Sequence, residues 1–195
     1  MLFHEVNQLL EPGYMALETG YYLLSNGQMH VAVLTRMPGC KGKMVTWWFG
    51  YLDGTETYRM WEPKSHLTLE WDEQWQPGSY IGASYIAEGE FGGLVNKMRI
   101  HFHDPSECLD TSRFEEAEVG TAIYANAYDL EKVPHGRIIH FVRDTDFGCE
   151  MRSRFWLFRA TESEATRLMQ HCIKEMGRLA DFLPGLYMQK NVEIN

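Results

Sequence analysis

The chain is poor in basic residues: 18 Lys and Arg stand against 27 Asp and Glu, a formal net charge of −9 at pH 7. A surface of that sign repels a phosphate backbone or an anionic bilayer, so no nucleic-acid or membrane partner is expected. Cysteine is sparse and scattered. Cys40, Cys108, Cys149 and Cys172 form no Cys-x-x-Cys pair, which removes the usual zinc and dithiol motifs. The pattern suits reduced thiols in a cytoplasmic protein. No apolar run approaches the ~20 residues of a membrane-spanning helix. The opening MLFHEVNQLLEPG lacks the basic start and apolar core of a signal peptide. Also missing are Gly-x-Gly-x-x-Gly before a helix, a P-loop, Gly-x-Ser-x-Gly and His-Glu-x-x-His, so nucleotide cofactors and common serine-hydrolase chemistry lose support. Cys172 directly follows His171, but adjacent helix positions point apart, which argues against a Cys–His nucleophile.

Apolar and aromatic side chains are abundant. Hydrophobic residues make up 45% of the 195, and there are 6 Trp, 10 Tyr and 10 Phe, enough for a large core and for lining a ligand cavity. Residues 1–30 read as a partly helical N-terminal extension, with Phe3, Val6, Leu9 and Leu10 at helical spacing before the Pro12-Gly13 break. A main domain is expected over 31–195. Next, His30 to Met37 reads as a strand or buried segment closed by Pro38-Gly39. Met44 to Trp75 carries a dense aromatic block, followed by the alternation of Leu67, Leu69 and Trp71. Any one of these aromatics is ordinary core; together they can face a flat ring.

Tyr80 to Gly93 reads as a further strand with Ser84, Ile86, Glu88 and Glu90 on one face, unless Gly89 marks a bulge and shifts the register. Val95 to Phe102 alternates again, and Thr121 to Tyr128 is a weaker strand. Lys132 to Arg137 reads as a turn, and Arg137–Val142 with Cys149–Arg159 as a hairpin. Glu162 to Tyr187 forms one long amphipathic helix. Ala165, Leu168, Met169, Cys172, Met176, Leu179 and Leu183 make its apolar stripe, and Pro184-Gly185 should end it. Antiparallel strands followed by one long helix indicate an α+β fold, a curved sheet closed by that helix over a cavity.

At the border of the stripe stand His171 and Glu175, four residues apart and therefore on one face. The pair can hold a metal ion or simply flank the helix. With His66 and an acid from Glu88 or Glu90 it makes two imidazoles and two carboxylates, a set that suits zinc and also iron or manganese. Spacing alone does not single out this combination among eight histidines. His4 and His135 read as exposed; His30, His101, His103 and His140 read as strand or pocket residues.

The segments WWFGYLDGTETYRMWEPKSH, GEFGG, KMRIHFHDP, HFVRDTDFGCEMRSRFW and HCIKEMGRLADFLPGLY resemble the diacetylphloroglucinol hydrolase family, which includes phloretin hydrolase. The resemblance spans about Met44 to Tyr187. It implies a helix-grip, Bet v 1-like fold and zinc-dependent cleavage of the carbon–carbon bond between a polyphenol ring and an acyl group. It also implies a small aromatic ketone as substrate and a homodimer. Residue by residue, it makes His66, His171 and Glu175 zinc ligands, with Glu88 (Glu90 as alternative) the fourth. Tyr58 becomes a tyrosine touching the phenolic substrate and His140 a second pocket residue. Leu69 departs from the pattern, standing where a polar substrate contact is expected. A non-catalytic carrier or sensor of hydrophobic ligands is the competing reading of the same cavity.

Overall fold

Alternating apolar residues pair into one antiparallel sheet in this computed structural model, which describes residues 1–91 and 93–192. The strands are β1 (Gly20–Leu23), β2 (Met29–Pro38), β3 (His66–Trp71), β4 (Ser84–Phe91), β5 (Leu94–His103), β6 (Val119–Tyr128), β7 (Pro134–Thr145) and β8 (Gly148–Leu157). They lie in the order β1-β2-β8-β7-β6-β5-β4-β3. Two helices, α1 (Gly42–Tyr51) and α2 (Thr55–Trp61), connect β2 to β3, and α3 (Glu162–Val192) follows β8. This is the α+β helix-grip arrangement, a curved sheet around a long C-terminal helix. Among the described residues no helix is long and apolar enough to cross a membrane.

The period of two sorts each central strand onto two cores. Met29, Val31 and Val33 of β2, Val142 of β7 and Met151 and Phe155 of β8 face α3. Ala122, Tyr124, Ile139, Phe141 and Trp156 face the other way, onto a 3-10 helix at Phe3–Leu10. Phe3, Val6 and Leu9 recur every three residues, the period of that tighter helix. The boundary expected at residue 30 thus falls inside β2, and residues 20–23 form the edge strand β1. What precedes β1 is a cover on the outer face of the sheet. Its anchor is electrostatic: buried Arg152 and Arg154 on β8 both pair with Glu18, Arg152 Nη2 at 2.6 Å. Arg143 and Arg152 also donate to the Leu9 carbonyl oxygen, at 2.8 and 3.3 Å.

The stripe expected on α3 is observed. Ala165, Cys172, Met176, Leu179 and Leu183 are buried, with Leu168 and Met169 packed at its edge. Full burial of each large member contributes about 1.5–3 kcal/mol. Thr161 caps the helix: its Oγ1 accepts from Glu164 N at 3.3 Å while the Glu164 carboxylate accepts from Thr161 N at 2.7 Å. The helix does not end at Pro184 as expected but runs on to Val192. A helical proline frees the carbonyl four residues earlier, here that of Ala180, and the Cys40 thiol donates to it at 3.8 Å. Packing of Leu186 against the core and of Tyr187 edge-on against Trp47 carries the helix past the break.

α1 and α2 were not expected from the sequence; the aromatic block is their apolar surface. α1 starts hard against β6. A Cβ on Gly42 would lie 2.3–2.7 Å from the Gly120 backbone, so this crossing requires glycine. The turn expected at 132–137 lies earlier, at 129–133, where Lys132 N donates to the Asp129 carbonyl oxygen at 3.2 Å, and β7 starts at Pro134.

Candidate metal and catalytic site

Two distant stretches meet where α2 and β3 approach α3. His66 Nε2 lies 3.2 Å from Glu175 Oε1, and His171 Nε2 lies 3.6 Å from Glu175 Oε2. One ligand atom from each of the three residues falls within 4.8 Å of the others. Their side chains are only 0, 9 and 14% exposed for His66, His171 and Glu175, so the group is largely closed to solvent.

A backbone irregularity turns His66 inward. His66 pairs with Gly89, but Thr68 pairs with Glu88, so β3 carries one extra residue, Leu67. Without it His66 would share the outward face of Thr68 and Glu70; with it the ring joins Leu69 and Trp71 on the inner face. Arg59 Nε donates to the Leu67 carbonyl at 2.9 Å and holds the bulge. The bulge foreseen at Gly89 is therefore on the opposite strand, and β4 runs in unbroken register with β5.

That register sets which way the glutamates of β4 face. Tyr85 and Ala87 pack into the inner core, so the alternate residues Glu88 and Glu90 face outward. Glu88 accepts from Thr68 Oγ1 at 3.4 Å and lies 4.0 Å from Lys97 Nζ, and Glu90 is exposed. Neither joins His66, His171 and Glu175.

The three residues fit a divalent metal on chemical grounds. His66 Nδ1 is 2.8 Å from the Tyr58 carbonyl oxygen, which can only accept, so Nδ1 carries the hydrogen. When the ring carries only that hydrogen, the lone pair of Nε2 faces a carboxylate oxygen. Nε2 is buried and lacks a hydrogen bond of proper geometry despite that 3.2 Å approach. Two acceptors so placed repel unless a proton or a cation lies between them. Ligands about 2.0–2.1 Å from a tetrahedral zinc stand about 3.3 Å apart, close to the two separations seen here. The hydrogen bond from Nδ1 is the orienting contact that metal-binding histidines commonly make.

Around the triad lie groups suited to moving protons. Tyr58 is buried and stacks flat on His66, with ring centroids 3.7 Å apart. Burial pushes its phenol well above the usual range, and Tyr85 and Glu175 add to the effect. Tyr85 is likewise pushed up by burial and by Glu175. His140 is held down to about 4 by burial, against the pull of Glu175. It stacks on Phe49, and its Nδ1 is 2.8 Å from Ser153 Oγ. Burial lowers His171 more than Glu175 raises it. Burial would raise Glu175, but His171 and His66 outweigh it and hold the carboxylate below its usual range.

Tyr58 and His140 are both buried on the side of the sheet that faces α3. Tyr85 and Ser153 were missed, although their alternation with Ala87 and with Phe155 was a usable signal. Surface clefts of about 380 Å³ beside Lys41 and Asp144 and about 280 Å³ beside Arg99 and His101 lie away from the triad and contain none of its residues.

Residues 1–166 match the family model described as the DAPG hydrolase PhiG domain. The chain is 25% identical to a 2,4-diacetylphloroglucinol hydrolase of a Pseudomonas species, over 95% of this chain and 76% of that protein. It is 22% identical to phloretin hydrolase of Eubacterium ramulus, over 88% of this chain and 72% of that protein. Among solved structures, Ara h 8.0201 superposes with a TM-score of 0.55 at 9% identity, covering 80% of this chain and 98% of that one. That likeness concerns the fold alone.

Proposed function

The chain belongs to the DAPG hydrolase PhiG domain family, and from that premise we propose that it hydrolyses the carbon–carbon bond joining an acyl group to a polyphenol ring. Water supplies hydroxyl to the acyl carbon and hydrogen to the ring carbon, giving a carboxylic acid and the deacylated phenol. The observation that carries this reading is the convergence of His66 from β3 with His171 and Glu175 from α3, beside the Tyr58 phenol. The relatives named as hydrolases of 2,4-diacetylphloroglucinol and phloretin supply the substrate class.

His66, His171 and Glu175 would hold zinc, and the outward-facing Glu88 is not needed in that set. When bound, zinc supplies Lewis acidity, polarising a carbonyl and acidifying water. Tyr58 stays protonated because of its burial and the charge of Glu175, so it serves as a proton donor and not as a base. Its proton goes to the ring carbon as the carbon–carbon bond breaks, and the proton given up by the attacking water returns to the Tyr58 oxygen. The ring can leave only because its neighbouring oxygens spread the developing negative charge. His140 is neutral near pH 7, so it accepts a hydrogen bond or a proton from a phenolic hydroxyl while Ser153 fixes its ring. Glu175 has both oxygens turned to imidazoles and orients them.

The test uses the purified chain with 2,4-diacetylphloroglucinol and with phloretin, measuring acid release beside elemental zinc content. Wild type is expected to carry one zinc per chain and to release acid; His171→Ala is expected to lose both. Full zinc and full turnover in that variant would remove this assignment. A wild type purified without any metal and without turnover would favour the carrier of apolar ligands.

A further inference from the structure

The buried carboxylate of Glu62 has no part in the chemistry above, yet it sits at the junction that brings the three ligands together. It lies at the end of α2, four residues before His66, and is completely buried. An ionised carboxylate removed from water is tolerated only where cations and hydrogen bonds replace its hydration. Lys174 Nζ stands 3.6 Å from Glu62 Oε1, and Arg178 Nε stands 3.5 Å from Oε2. Lys64 N also donates to Oε1, at 3.2 Å. Both cations come from α3, one residue before Glu175 and three after it. Their side chains are about half in water (50 and 46% exposed), whereas the carboxylate is not.

Each end of this contact is rigidly tied to a ligand. The Glu62 carbonyl accepts from His66 N at 2.9 Å, closing the turn that leads into β3. Trp61 Nε1 donates to the Glu175 carbonyl at 3.0 Å, and Arg178 Nε donates to the Trp61 carbonyl at 3.2 Å. The Arg178 Nε–H is thus directed at a carbonyl while the guanidinium charge remains beside Glu62. This explains why Oε2 has ion-pair distance but no hydrogen bond. Residues 61 and 62 therefore grip α3 on both sides of Glu175 and hold the His66 turn at the same time.

We infer that Glu62 is a positioning residue for metal binding: its grip on Lys174 and Arg178 fixes the separation of His66 from the His171–Glu175 pair. The inference rests on the metal reading proposed above. Outer contacts that orient metal ligands typically alter affinity by 10–100-fold when removed. Glu62→Gln keeps the shape and one acceptor but discards the charge that draws both cations in.

The experiment measures zinc affinity of the full chain by competition with a chromophoric chelator, and the visible absorption of the cobalt-substituted protein. Circular dichroism of the metal-free protein runs alongside. Glu62→Gln is expected to bind zinc roughly 10–100-fold more weakly with an altered cobalt spectrum, while its secondary structure persists. Arg178→Gln should shift both readouts in the same direction, and the double variant should lose less than the product of the two single losses. A folded Glu62→Gln protein that holds zinc as tightly as wild type, with an unchanged cobalt spectrum, would show an ordinary ion pair and overturn the proposal. Should Glu62→Gln fail to fold, Lys174→Gln and Arg178→Gln carry the decision. Both alter partly exposed side chains, and unchanged zinc affinity in both would overturn it equally. Wild type that binds no stoichiometric zinc would overturn the metal reading and this inference together. Zinc-loaded wild type without hydrolysis would count against the reaction alone.

Discussion

Tyr58 holds His66 twice: its ring lies 7° from parallel to the imidazole, and its carbonyl oxygen takes the hydrogen of His66 Nδ1. The phenol and the metal-binding nitrogen are thereby set in one frame, and the two duties can be separated by substitution. Tyr58→Phe keeps the stack and the carbonyl and removes only the hydroxyl. It is expected to retain zinc at wild-type stoichiometry while turnover falls by about 10²–10⁴-fold, the usual contribution of a positioned acid. Tyr58→Ala also removes the stack and should weaken zinc binding. Metal content and acid release on the same preparations decide this, and wild-type turnover in Tyr58→Phe would show that the hydroxyl is not the proton donor.

Glu88 offers a test of register. Because it pairs outward with Thr68 and Lys97, Glu88→Gln should leave zinc stoichiometry and turnover unchanged. Its surface ion pair is worth no more than about 1 kcal/mol. Glu175→Gln should lose zinc. Elemental analysis of both variants distinguishes the triad seen here from a four-residue set that includes the strand.

The contrast between these two glutamates shows what was legible in the sequence. His171 and Glu175 could be paired because helical spacing fixes their common face, and the stripe beneath them fixed which side of α3 is buried. Strand β5 was legible from alternation, and β2 and β8 from apolar runs bounded by turns. His66 could be named from the resemblance, but its inward aim depends on the extra residue at Leu67, which alternation does not reveal. The outward aim of Glu88 was hidden for the same reason: the irregularity lay across the ladder from Gly89. α1 and α2 were hidden because Trp47, Trp48, Phe49 and Tyr51 crowd into one short stretch and erase any period. The continuation of α3 past Pro184 depends on the packing of Leu186 and Tyr187 and on a thiol from another loop, contacts no local rule supplies.

The crossing of α1 over β6 gives a steric prediction. A methyl group on Gly42 would meet backbone atoms of Gly120, which cannot swing aside as a side-chain tip can. Gly42→Ala should therefore destabilise the fold by about 1–3 kcal/mol, the range for overpacking, even though alanine is the better helix former. Urea unfolding checks this. A gain in stability would mean that the crossing accommodates a methyl group.

The outer face predicts a dependence of stability on pH. Burial would raise the Glu18 carboxyl, but Arg152, Arg154 and the Met15 amide outweigh it and hold it below its usual 4.5. A carboxyl that is more acidic when folded contributes stability above pH 4.5, and that contribution is lost as pH falls through the depressed folded value. His30 acts over an overlapping window. Burial, followed by the charges of the N-terminus and Arg154, holds it down to about 3 from 6.5. The unfolded chain takes up that proton first, so stability falls as pH drops from about 6.5 toward 3. Glu18→Gln leaves Arg152 and Arg154 buried without their counter-charge and should cost about 3–5 kcal/mol at pH 7. Denaturant unfolding of both proteins between pH 7 and 3 separates the two groups. Their stability curves should run parallel from pH 6.5 to about 4.5, where His30 titrates alike in each. Below that they should converge, because only wild type still has the Glu18 contribution to lose. Curves that stay parallel down to the lowest pH would show that Glu18 does not couple the N-terminal cover to the sheet.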